Sequence, residues 1–147
     1  MSAVVDTNVL VFDTFSDSEF HVEARKALER LDLWLLPSIV LHEYVWALRG
    51  LKADLAFASK KVEEYLLAEK CSFSPDSEVD LLFATRGASS YAKYNDFLIL
   101  SQAKRLGLPL FSFDEELNKV ARRNAVRVFD HRNGPAGGST ITNARPF

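Results

Sequence analysis

Cysteine is nearly absent. Cys71 alone, in a chain of 147 residues, can neither close an internal disulfide nor build a thiolate zinc site. Long apolar runs are missing too. The longest, Leu33 to Leu41, is interrupted by Pro37 and Ser38 and falls far short of the roughly 20 residues of a spanning helix. No basic leader precedes Asp6, so nothing resembles an export signal. These absences predict a soluble, cytoplasmic protein with no membrane association. There is no excess of positive charge: 18 Lys and Arg stand against 20 Asp and Glu, a net charge of −2. That excludes a blanket electrostatic grip on nucleic acid while leaving room for a local basic patch. The phosphate-cradling patterns GxxxxGK[ST] and GxGxxG do not occur, which removes their nucleotide-binding chemistry.

What remains is ordinary globular composition, 48% hydrophobic and 26% charged, at a length suited to one domain. Strands are predicted at Ala3–Val5, Leu33–Leu36, Ser72–Ser74, Leu110–Phe113 and Val126–Phe129. Helices are predicted over about Glu19–Leu31, Ser38–Gly50 with Ser38 as cap, Asp54–Glu69, from Asp76, Asp96–Leu106 and Asp114–Arg123. Arg86 to Tyr94, with Gly87 and two serines, reads as a loop. Fully apolar strands alternating with amphipathic helices predict an α/β fold, a parallel sheet covered on both faces. Residues 1–130 form the predicted domain, and 131–147, rich in Gly, Pro, Ser and Thr, a loosely held tail.

Most carboxylates lie beside Lys or Arg on helical faces, as solvated surface does. Four do not. Asp6 leaves the first strand where open α/β sheets place ligands, although an Asx-turn or helix cap explains it equally. Glu43 projects between Ile39 and Ala47 on an apolar helical face; buried there it needs a cation or a proton, or an arginine from another helix. Asp96 lies along the stripe of Ile99, Leu100 and Ala103, and Asp114 follows the Leu110 strand; for both, helix capping is the plain alternative. If the first and Leu110 strands are neighbours, all four acids can converge. Bare carboxylates so placed repel one another and take up protons. A hard divalent cation relieves this, so the pattern predicts metal-assisted phosphodiester chemistry.

Four stretches carry a family resemblance: Val4-Val5-Asp6-Thr7-Asn8-Val9-Leu10, Leu41-His42-Glu43-Tyr44, Tyr94-Asn95-Asp96-Phe97-Leu98-Ile99-Leu100, and Pro109 to Leu117 through Ser112-Phe113-Asp114. In this order and spacing the sequence resembles a PIN domain, and among PIN domains the VapC-type toxin nucleases, over about residues 3 to 130. The resemblance implies a Rossmannoid parallel sheet of about five strands in the order 3-2-1-4-5. It implies that Asp6, Glu43, Asp96 and Asp114 hold Mg²⁺ or Mn²⁺ as catalytic and metal-binding residues, with Asn8 and Ser112 supporting the site. The implied reaction is hydrolysis of RNA by in-line attack of an activated water, with no histidine as base; His21, His42 and His131 are read as surface. A small antitoxin protein and a homodimer are the implied partners.

For RNA contact, Lys93, Arg86 and Tyr94 are the named candidates, with Tyr91 as a further stacking ring and Lys104, Arg105, Arg122 and Arg123 as basic flanks. The stretch Ala56–Leu67 is either a shared surface or core. Other readings are a housekeeping PIN ribonuclease, a non-catalytic metal-binding scaffold, or a phospho-acceptor module on a flavodoxin-like fold. The last lacks the lysine it would want after a late strand.

Overall fold

A computed structural model describes residues 1–132. The chain runs β1 (Ser2–Val5), α1 (Thr7–Thr14), α2 (His21–Arg30), β2 (Leu33–Pro37), α3 (Ser38–Gly50), α4 (Leu55–Leu67), β3 (Cys71–Ser74), α5 (Glu78–Gly87), a 3₁₀ turn (Tyr91–Lys93), α6 (Tyr94–Leu106), β4 (Leu110–Phe111) and α7 (Glu115–Arg123). All but the first two residues of the predicted tail lie outside the described residues.

Four parallel strands pair in the order β3-β2-β1-β4, with Ala3 opposite Trp34 and Val5 opposite Phe111. The first and Leu110 strands are therefore neighbours. The predicted fifth strand is reduced to a single parallel bridge, Leu110 to Val128. Its partner explains why: β4 is only two residues long, because Ser112 leaves the ladder to bond the side chain of Asp6. Val126 and Phe129 are buried all the same. With this strand order, the right-handed rule for parallel crossovers puts α1 to α4 on one face of the sheet and α5 to α7 on the other.

Ala3, Val4 and Val5 are each fully buried, as expected of a central parallel strand covered on both faces. They form one core with Leu10, Leu36, Leu48, Ile99, Leu100 and Phe111. Among the described residues no helix is long and apolar enough to cross a membrane.

Several local expectations are corrected. Helix α3 begins at Ser38 with Pro37 at its cap position and no side-chain cap; the Ser38 hydroxyl instead donates to Asp76. Helix α5 starts at Glu78, two residues later than expected, because Ser77 and Asp80 form a reciprocal capping box. The predicted loop from Arg86 to Tyr94 is mostly helical: α5 continues through Gly87, where a Cβ would come within 3.0 Å of the Phe97 ring. That glycine is there for close helix packing, not for a turn. In α4, Phe57 and Val62 pack on the core and Tyr65 is within it, whereas Leu66 is exposed.

Candidate active site

Parallel α/β sheets gather loops and helix N-termini at the carboxyl ends of their strands, and three of the four predicted acids, Asp6, Glu43 and Asp96, share a cleft there. Asp6 follows β1 directly and caps α1, its Oδ1 accepting from the Thr7 N–H at 2.7 Å. Its other oxygen accepts from the Ser112 hydroxyl at 2.6 Å and the Asn8 amide at 3.3 Å. Ser112 is a hub: its oxygen also accepts from Asn8 Nδ2 at 3.2 Å and from the Asp114 N–H at 3.0 Å. Asn8 returns its carbonyl to the Phe113 N–H at 3.1 Å. Asn118, not anticipated, holds the Ser112 carbonyl at 3.0 Å. Through these bonds β1 and the segment after β4 lock Asp6 into one orientation.

Asp6 is only 6% exposed, and every donor on it is neutral. Burial is the main force on its carboxyl, reinforced by the charges of Glu43 and Asp96; the bonds from Ser112 and Thr7 oppose it. The result is a pKa pushed from 3.8 up to about 7. Asp96, in the first turn of α6, is raised to about 6 by burial, then by Glu43 and Asp114, with Lys93 alone pulling it down. Glu43, on α3, is held through both oxygens: Oε1 accepts from the Thr7 hydroxyl at 2.6 Å and Oε2 from Asn95 Nδ2 at 3.1 Å. Neither holder was picked out from sequence, although both sit inside the quoted motifs, one residue after Asp6 and one before Asp96.

Asp6, Thr7, Asn8, Glu43 and Asp96 line one cleft of about 330 Å³, walled by Val11, Phe12 and Ala47. Asp114 does not line it. That residue is exposed and caps α7, its Oδ1 accepting from the Glu116 and Leu117 N–H groups; its charge is nevertheless felt by Asp96. Among the described residues no ion pair involves any of the four acids. Equally, no three acidic, imidazole or thiol groups there are drawn close enough to share one metal ion. The donor set is all oxygen and carries mutually repelling charge, which fits a hard cation.

The other candidates divide. Lys93 is exposed on the 3₁₀ turn and acts on Asp96, and Tyr94 is half-buried at the start of α6. Arg86 lines a different, largely apolar groove with Val79, Leu82, Phe83 and Phe97. Arg105 is no free flank: it forks onto Asp80, with Nε at 3.2 Å from Oδ1 and Nη2 at 2.9 Å from Oδ2. Asp80 is thus a further misplaced acid that the sequence reading passed over. Of the histidines, His42 is exposed and His21 half-buried. His131 is not surface: it pairs with Glu23 and lies 4.3 Å, ring to ring, from Phe113.

Sheet order, buried acid and neutral hydrogen-bond cradle define an α/β protein with an acid-lined cleft at the carboxyl edge of its first strand. More narrowly, the chain belongs to the PIN domain family, whose model matches residues 3–123. None of the curated proteins matches it. In fold it is similar to the VapC20 toxin of Mycobacterium tuberculosis, described as cleaving the sarcin–ricin loop: 14% identical, TM-score 0.67, covering 80% of this chain and 94% of that one. It is also similar to VapBC2 of Rickettsia felis bound to a promoter DNA fragment (16% identical, TM-score 0.62, 88% and 98% covered). A third likeness is VapBC-1 of nontypeable Haemophilus influenzae (18% identical, TM-score 0.62, 89% and 98% covered).

Proposed function

We propose that this protein is a divalent-cation-dependent endoribonuclease acting as the toxin of a toxin–antitoxin pair. The observation that carries the reading is Asp6, a buried carboxylate beside two others with no cation of its own. Membership of the PIN family and the toxins among its structural likenesses support it.

In this reading Asp6 is the principal ligand of Mg²⁺ or Mn²⁺, with Glu43, Asp96 and Asp114 completing the catalytic acids directly or through water. A cation bound there supplies charge neutralisation and activation of water for phosphodiester hydrolysis. The chain's own groups do the positioning. Ser112 and Asn8 fix the Asp6 carboxylate, Thr7 and Asn95 fix Glu43, and Val11, Phe12 and Ala47 shield one side from solvent. Lys93, with Tyr94 beside it, meets the RNA backbone next to Asp96; Arg86 is set aside. A small antitoxin presenting a cationic segment would satisfy the same acidic cleft. A homodimer in the cytoplasm completes the proposal.

The test is cleavage of single-stranded RNA by purified protein in Mn²⁺, with and without chelator. Cleavage should vanish with chelator and fall at least about 100-fold in Asp6→Asn and Asp96→Asn, as loss of several kcal/mol of charge stabilisation requires. Cleavage unchanged in either variant overturns the reading.

A further inference from the structure

Helix α3 presents two adjoining stripes. One, Glu43 and Ala47, lines the acidic cleft. The other, His42, Trp46 and Arg49 at i, i+4 and i+7, points outward, and all three residues are exposed. Trp46 is 64% exposed, a large cost for a side chain whose ring normally buries 150–250 Å². The fold does not need it: Trp34, by contrast, packs against the core and donates its indole N–H to the Leu28 carbonyl at 2.9 Å. The guanidinium of Arg49 stands over the Trp46 ring at 5.6 Å and takes part in no ion pair among the described residues.

We propose that Trp46, backed by Arg49, is a nucleobase-stacking platform for single-stranded RNA whose backbone leaves the acidic cleft along α3. The inference rests on the ribonuclease reading and adds a substrate-positioning residue to it. Three features favour nucleic acid over a protein partner. The platform lies about one helical turn from Glu43, which lines the cleft, so the two adjoin on α3. Its stripe carries His42 and Arg49 and no carboxylate, matching phosphate. Arg49 covers one side of the indole, leaving the other to a base, and an aromatic–Arg pair stacks on any base whatever its sequence.

The experiment measures binding of a short fluorescein-labelled single-stranded RNA of mixed sequence to the Asp6→Asn protein in magnesium buffer at fixed salt. Adding Trp46→Ala should weaken binding about 5- to 150-fold, the range of one lost aromatic–base stack. Trp46→Phe, which keeps a ring, should stay within about 3-fold. RNA should quench tryptophan emission, and Trp46→Phe should abolish the quench because Trp34 is shielded. Equal affinity of Trp46→Ala and its parent overturns the inference and leaves the ribonuclease reading standing. So does unchanged RNA affinity with a smaller particle mass by light scattering, which would assign Trp46 to a protein contact. If the Asp6→Asn parent still cuts RNA, or binds none, the ribonuclease reading fails and takes this inference with it.

Discussion

Two aspartates, Asp6 and Asp80, are almost equally hidden from solvent, yet their surroundings push them in opposite directions. Burial raises both carboxyls. For Asp80, with a side chain 0% exposed, the fork from Arg105, the Ser77 N–H and the Ser101 hydroxyl more than offset it. It ends below the ordinary carboxylate range. For Asp6 the donors are neutral and the nearest charges are negative, so the carboxyl stays high, at about 7. Burial alone therefore does not mark a functional acid. A buried acid left without a cation must be relieved by a proton or by a bound cation, which is what the proposed reading supplies for Asp6.

The sharpest way to break the comparison is Asp80→Ala. It strands Arg105 and Ser101 and should cost about 3 kcal/mol in urea unfolding, the lower end for a severed buried pair because Arg105 is partly exposed. A loss under about 1 kcal/mol would mean that Asp80 is not structural. Asp6→Asn should act with the opposite sign. A carboxyl that titrates near 3.8 when unfolded and at about 7 when folded penalises the folded state whenever it is ionised, by up to about 4 kcal/mol. Chelated wild-type protein should therefore gain stability as pH falls from about 8 towards 5, and Asp6→Asn should flatten that rise and be more stable by about 1–3 kcal/mol at pH 8. Identical pH profiles would show Asp6 already relieved. Manganese should restore stability to the wild type and not to Asp6→Asn, read as a thermal shift. The smallest effect is expected at Thr7→Val. Removing one of two bonds to Glu43 should change stability by less than about 1 kcal/mol but slow cleavage about 10-fold through loss of aim. Equal rates would demote Thr7 to a passive neighbour.

The two aspartates also show what was legible in the chain. Asp6 could be found because it breaks a rule locally, an acid straight after a buried strand. Glu43 and Asp96 broke the periodicity of their helices, and a parallel sheet of known strand order gathers such positions at one edge. Asp80 was hidden because Ser77 and Asp80 look like any helix start, while the residue that gives Asp80 its meaning, Arg105, lies 25 positions away. His131 escaped for the same reason: Glu23 and Phe113 come to it only through folding. The last strand was visible as an apolar run, but its pairing depends on how soon β4 turns away. The Gly87 turn was misread because glycine signals both bends and close contacts, and only the position of Phe97 separates them. Local patterns were readable; long-range partnerships were not.

Ser112 has a consequence in time as well as space. Synthesis proceeds from the amino end, so β1, α1 and α3 exist before the segment that fixes Asp6 has been made. Until Phe111 pairs with Val5 and the Ser112 hydroxyl reaches Asp6, a growing chain carries its acids without their final aim. The acidic cleft thus gains its final geometry late, by the docking of two residues.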